Sequence, residues 1–105
     1  MTIHYRGFRG KTIAGACHVF RIDEAAAVKE LDPKPSLKVW NHSPDGFQWG
    51  YSGSGPAQLA LALLLDVTGD SDLASSKHQT FKRDFVAGWG NEWQISADEI
   101  RDWLK

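Results

Sequence analysis

Between Pro56 and Asp66 the chain reads AQLALALLL, in which Gln58 is the one polar residue. Pro56 suits the first turn of a helix, with Ser54 or Gly55 as its cap, and Gly69 suits its end. Within that helix Gln58, Ala62 and Asp66 fall four apart and make one narrow stripe. Leu59, Leu61, Leu63, Leu64 and Leu65 stand around the stripe. So little polar surface requires cover on most sides. Each buried leucine contributes roughly 1.5–3 kcal/mol before conformational entropy is subtracted. The rest of the chain must therefore build a core around this helix.

With 105 residues the chain is long enough for one such core, so residues 1–105 are read as a single domain. Ahead of the helix the pattern is that of sheet. Thr2 to Phe8 alternates, with Ile3 and Tyr5 on one side and His4, Arg6 and Phe8 on the other. Arg9-Gly10-Lys11 supplies a turn. Thr12 to Ile22 reads as a second extended segment, with Ala14, Ala16, His18, Phe20 and Ile22 on one face and Gly15 marking a bulge or a close approach of another backbone. Asp23 is placed to cap a short helix through EAAAVKEL, which the prolines at 33 and 35 then stop. Leu37 to Asn41 and Phe47 to Tyr51 read as two strands around the turn Ser43-Pro44-Asp45-Gly46.

After the apolar helix the pattern turns helical. Asp70 or Ser71 opens an amphipathic segment in which Ala74, His78, Phe81, Phe85 and Trp89 share a face, and Gly88 and Gly90 break it. Ser96 with Glu99 forms a capping box, and Ile95 with Ile100 the matching staple, ahead of Trp103 and Leu104. Trp89, Trp93 and Trp103 are read as core residues at helical or capping positions. The expected class is α+β: a small antiparallel sheet of three or four strands packed on a buried central helix, with two further helices.

Several function classes are disfavoured by the residues themselves. A net charge of −1 gives no overall field for nucleic acid or an anionic membrane. A single cysteine, Cys17, allows no internal disulfide and points to a reducing, cytoplasmic setting. MTIHYRGFRGK lacks the pattern of a signal peptide, and Leu59 to Leu65 is too short to span a bilayer. The loop before the helix departs from a P-loop, which needs Gly-Lys-Ser/Thr, and from G-x-G-x-x-G, where Gln58 replaces the last glycine. Gly50-Tyr51-Ser52-Gly53-Ser54 departs from a nucleophile elbow at its fifth residue. His4, His18, His42 and His78 show no ligand spacing, so no metal or other cofactor is expected.

Three surfaces remain as candidates, each with a bland reading beside it. Trp40, His42, Trp49 and Tyr51 could anchor a protein partner from a rigid hairpin, or simply pack and cap the turn. Ser52, Gly53, Ser54 and Gly55, with Gln58, could seat an anion at a helix start, or only let the chain turn sharply. Arg6, Phe8, Arg9 and Lys11 interleave charge with aromatic rings, as a single-stranded nucleic-acid binder does, but also as a solvated sheet edge does. No acid–base pair, activated nucleophile or metal cluster is visible, so the expected function is non-enzymatic binding by protein contact.

The run GFQWGYSGSGPAQLALALLLD, the helix with Phe81 and Phe85, and the closing Trp93, Ile100 and Trp103-Leu104 together resemble a family of small prokaryotic domains of unknown function. The likeness covers roughly Val39 to Leu104. Such domains occur in bacterial, plasmid and phage genomes. The resemblance thus implies a setting, not a mechanism: a host or self protein as partner, such as a CRISPR or other defence complex that a mobile element would need to occupy.

Overall fold

The computed structural model of the chain describes residues 2–10 and 17–105. It is α+β, with four strands and four α-helices among these residues. In order they are β1 (His4–Arg9), β2 (Cys17–Ile22), β3 (Val28–Glu30), α1 (Lys34–Val39), α2 (Ser54–Thr68), α3 (Ser71–Asp84), β4 (Glu92–Ser96) and α4 (Ala97–Leu104), with a 3₁₀ turn at Val86–Gly88. Two compact units share them: Met1–Leu31 with Asn91–Lys105, and Asp32–Gly90.

The first unit is an antiparallel sheet in the order β3-β2-β1-β4, with α4 following directly on β4. Alternation along β1 holds as the residue pattern requires: Tyr5 and Gly7 are buried, Arg6 and Phe8 exposed. Val19, Trp93 and Ile95 share the buried face with Tyr5. Gly7 is there because the Trp93 indole lies across it. A β-carbon at this position would come within 2.3 Å of the ring. Gly7→Ala should accordingly destabilise the fold by about 1–3 kcal/mol in urea unfolding. Most of that loss should vanish in a Trp93→Leu background, where the obstruction is gone.

The segment from Asp23 to Leu31 corrects the expected helix. The Asp23 carboxylate does accept backbone N–H groups, but from Ala25 and Ala27, closing a tight turn in which Ala26 is left-handed at φ 64°. Val28–Glu30 then pairs with Phe20–Ile22 as a third strand. Alanine is the best helix former, but over so short a segment propensity decides little, and a ladder of inter-strand bonds outweighs it. Lys11 and Gly15, with the turn and bulge expected of them, lie outside the described residues.

The second unit is helical. Asp32-Pro33-Lys34-Pro35 starts a helix rather than stopping one. Pro33 occupies the cap, Pro35 falls in the first turn, and Asp32 Oδ1 accepts from the Lys34 N–H. Leu37–Asn41 is therefore not a strand, and Phe47–Tyr51 is irregular backbone. The Ser43–Gly46 turn is present, closed by Gly46 N–H donating to Ser43 O, but it joins α1 to a loop. Gly50, at φ +87°, breaks any extension of the loop into a strand.

Helix α2 begins at Ser54, two residues before Pro56, with Gly53 as its cap in place of the expected Ser54 or Gly55, and ends at the left-handed Gly69. All of its residues from Gly55 to Leu64 are buried, and within its unit it packs on α3, α1 and the 3₁₀ turn. Asp70 caps α3 by accepting from the Leu73 N–H. The capping box at Ser96 and Glu99 has both of its hydrogen bonds, and Ile95 and Ile100 are buried beside it. Trp93 corrects a further expectation, being a strand residue of β4 rather than a helical or capping one.

Candidate functional site

Strand pairing assembles an outward sheet face whose parts lie far apart in sequence. Phe8 stands opposite His18 and Glu92, and Arg6 opposite Phe20 and Gln94. Across the next ladder Phe20 faces Glu30, and Ile22 faces Val28. The rings of Phe8, His18 and Phe20 contact one another at centroid separations of 5.3, 5.6 and 6.1 Å. Such offset pairs each contribute about 0.5–1.5 kcal/mol beyond simple burial. The cluster nevertheless stays open: Phe8 is 41% exposed and Val28 63%. Charge on this face is mixed, Arg6 sharing it with Glu30 and Glu92, and His18 Nδ1 lies 3.4 Å from Glu30 Oε1.

Of the four residues expected to meet nucleic acid, Arg6 and Phe8 belong to this face. Arg9 does not, since it alternates to the other side and donates from Nη1 to Asn91 Oδ1 at 3.1 Å. Lys11 lies outside the described residues. His18 and Phe20 had been placed on one side of their strand by alternation alone. What the sequence lacked was the register that sets them against Phe8.

A second cluster occupies the helical unit. The His42 ring stacks on Trp40 at 4.7 Å, and the Nε2 atoms of His42 and His78 are 2.9 Å apart. His78 Nδ1 donates to Ser75 O at 2.7 Å, so that nitrogen carries the proton. In the neutral pair His78 Nε2 must then accept from His42 Nε2–H. Burial pushes the pKa of both rings down. For His42 the neighbouring His78 and Lys82 add to this. For His78 hydrogen bonds to the Ser75 and Ala74 carbonyls oppose it, and Lys82 adds to it.

Gln58 ties the loop carrying His42 to α2. Its Oε1 accepts from the backbone N–H of His42 at 2.7 Å and of Ser43 at 3.1 Å, and its Nε2 donates to Ser36 Oγ at 2.9 Å. Fully buried and engaged on both ends, its amide belongs to the scaffold, which corrects its assignment to an anion site. Ser52 and Ser54 are exposed, Gly55 is buried, and the Tyr51 ring lies against Gly53, where a β-carbon would meet it at 2.6 Å.

The expected partner-binding quartet separates in the same way. Trp40 and Tyr51 are about half exposed, at 49% and 51%, and His42 is half-buried. Trp49 is completely buried, with Nε1 donating to Gly90 O at 2.7 Å, which removes it from any contact surface. Among the described residues no group of three or more His, Cys, Asp or Glu side chains is placed to hold a metal ion, and no helix is long and apolar enough to cross a membrane.

No curated protein and no solved structure matches the chain. A family model does match, and its reach runs from the second residue of β1 through α4, beyond the stretch from Val39 to Leu104. The chain belongs to the family of unknown function DUF6166, matched over residues 5–105.

Proposed function

We propose that this protein is a non-enzymatic binding protein whose contact surface is the outward sheet face around Phe8, His18 and Phe20. The observation that carries the reading is a cluster of stacked rings, with Val28 beside it, left in solvent on a rigid sheet. Aromatic anchors surrounded by a polar rim are the usual anatomy of a protein interface.

The charge pattern favours a protein over a nucleic acid. Binding a phosphate backbone calls for several cations on one face, whereas this one carries Arg6 together with Glu30 and Glu92. A host complex of the kind that mobile elements target is one partner that fits the setting implied by the resemblance.

Affinity capture from a bacterial lysate tests the reading. The native chain should retain a stoichiometric protein, and Phe8→Asp should weaken that capture at least about 30-fold, with little change in thermal stability. Trp40→Asp, in the other unit, should leave capture intact. Failure to retain any stoichiometric protein, or capture indifferent to Phe8, would end the proposal. Binding to single-stranded oligonucleotides that weakens steeply with salt would replace it with the nucleic-acid reading.

A further inference from the structure

We propose that His42 and His78 form an acid-released latch, which holds the loop from Trp40 to Gly46 against α3 when neutral and lets it go when both rings are charged. The hydrogen-bond count makes this a two-step device. His78 Nδ1–H is committed to Ser75 O, and His78 Nε2 accepts from His42 Nε2. The ring centroids are 5.0 Å apart with the two nitrogens between them, so the rings meet nearly head-on. A first added proton enters at His42 Nδ1 and leaves the bridge in place. A second has only His78 Nε2 to occupy, where it confronts the His42 N–H. Two donors then face each other and the bridge breaks.

Among the described residues no anionic side chain acts on either ring to tame the second proton. Lys82, from α3, acts on both rings as a further cation. From α2 the neighbouring group is the neutral Gln58, and from the end of α1 it is the neutral Trp40, stacked on His42 and edge-on to His78. With the bridge broken, Gln58 is left to hold the His42 and Ser43 amides without the support of the two rings, so these bonds open more often and Trp40 is freed.

The sign follows from the direction of the shifts. Both folded-state values lie below the ordinary 6.5, so the closed form binds fewer protons than the open one. The latch is therefore complete above 6.5 and is lost as pH falls through the depressed values.

Hydrogen exchange of backbone amides between Trp40 and Gly46, expressed as protection factors from about pH 7.5 to about pH 4.5, tests this. Protection should fall at least about tenfold in the native chain while amides of α2 keep theirs. In His42→Gln the side-chain amide can donate to or accept from His78, so the fall should disappear. Imidazole nitrogen shifts give a second reading that needs no variant: the two rings should titrate as a coupled pair below the free-histidine range. Protection that is flat with pH, an identical fall in His42→Gln, or two rings titrating independently at the ordinary value would overturn the latch.

Discussion

Trp49→Ala should lower the unfolding free energy by about 3–5 kcal/mol, the cost of emptying a fully buried indole site. Trp49 has no exposed surface, and its Nε1–H reaches the Gly90 carbonyl. The next residue repeats the attachment, since Gly50 N–H donates to Val86 O at 3.1 Å. The loop leading into α2 is thus docked on the segment that leaves α3, and the indole is its largest single anchor. Trp49→Phe separates the two contributions: it keeps most of the packing and orphans the Gly90 carbonyl, so about 1–3 kcal/mol should be lost. Urea unfolding of both variants is the measurement. A loss below about 1 kcal/mol in Trp49→Ala would mean that the loop is not docked as described.

Gln58→Leu should cost nearly as much despite adding an apolar side chain to an apolar helix. The substitution strands the His42 and Ser43 N–H groups, which donate to Gln58 Oε1, and removes the Nε2 donor to Ser36 Oγ, which itself donates to Pro33 O. Each of the two stranded N–H groups carries about 1–3 kcal/mol, so a total of about 2–6 kcal/mol is expected. Exchange of the His42 and Ser43 amides should rise together with that loss. If stability held and those amides stayed protected, the amide of Gln58 would not be the support of the loop. The contrast with Leu63 is instructive: there a polar substitution, not an apolar one, would do the damage.

Local signals were legible where they act locally. The apolar run fixed α2 to within two residues of its start, because a segment buried almost all round has no alternative environment. Ser96 and Glu99 marked α4 because a capping box is complete within four residues. The misreadings share a cause: an ambiguous short segment settled by distant partners. Val28–Glu30 is a strand because β2 offers it a ladder. Pro33 and Pro35 read by themselves as terminators, though proline suits a first turn as well as it ends a last one. Phe47, Trp49 and Tyr51 alternated like a strand, but the loop turns each to a different use, burying the indole and leaving the phenol half in solvent.

The candidate surfaces were half legible for the same reason. Alternation along β1 and β2 placed Arg6 with Phe8, and His18 with Phe20, but each list was one-dimensional until the register joined them. The His42–His78 contact spans 36 positions of sequence and follows no ligand spacing. Only the folded helical unit brings those rings together.

The strand order β3-β2-β1-β4 also fixes a timetable. On the ribosome β1 can pair early with β2, its neighbour in sequence, but its other flank waits until Glu92–Ser96 has been synthesised. Throughout that interval a row of main-chain donors and acceptors lies open to a stray strand. Prior collapse of Asp32–Gly90 shortens the effective tether to β4 and so hastens its arrival. Mutations that loosen the helical segment are therefore expected to show first as misassembly of newborn chains.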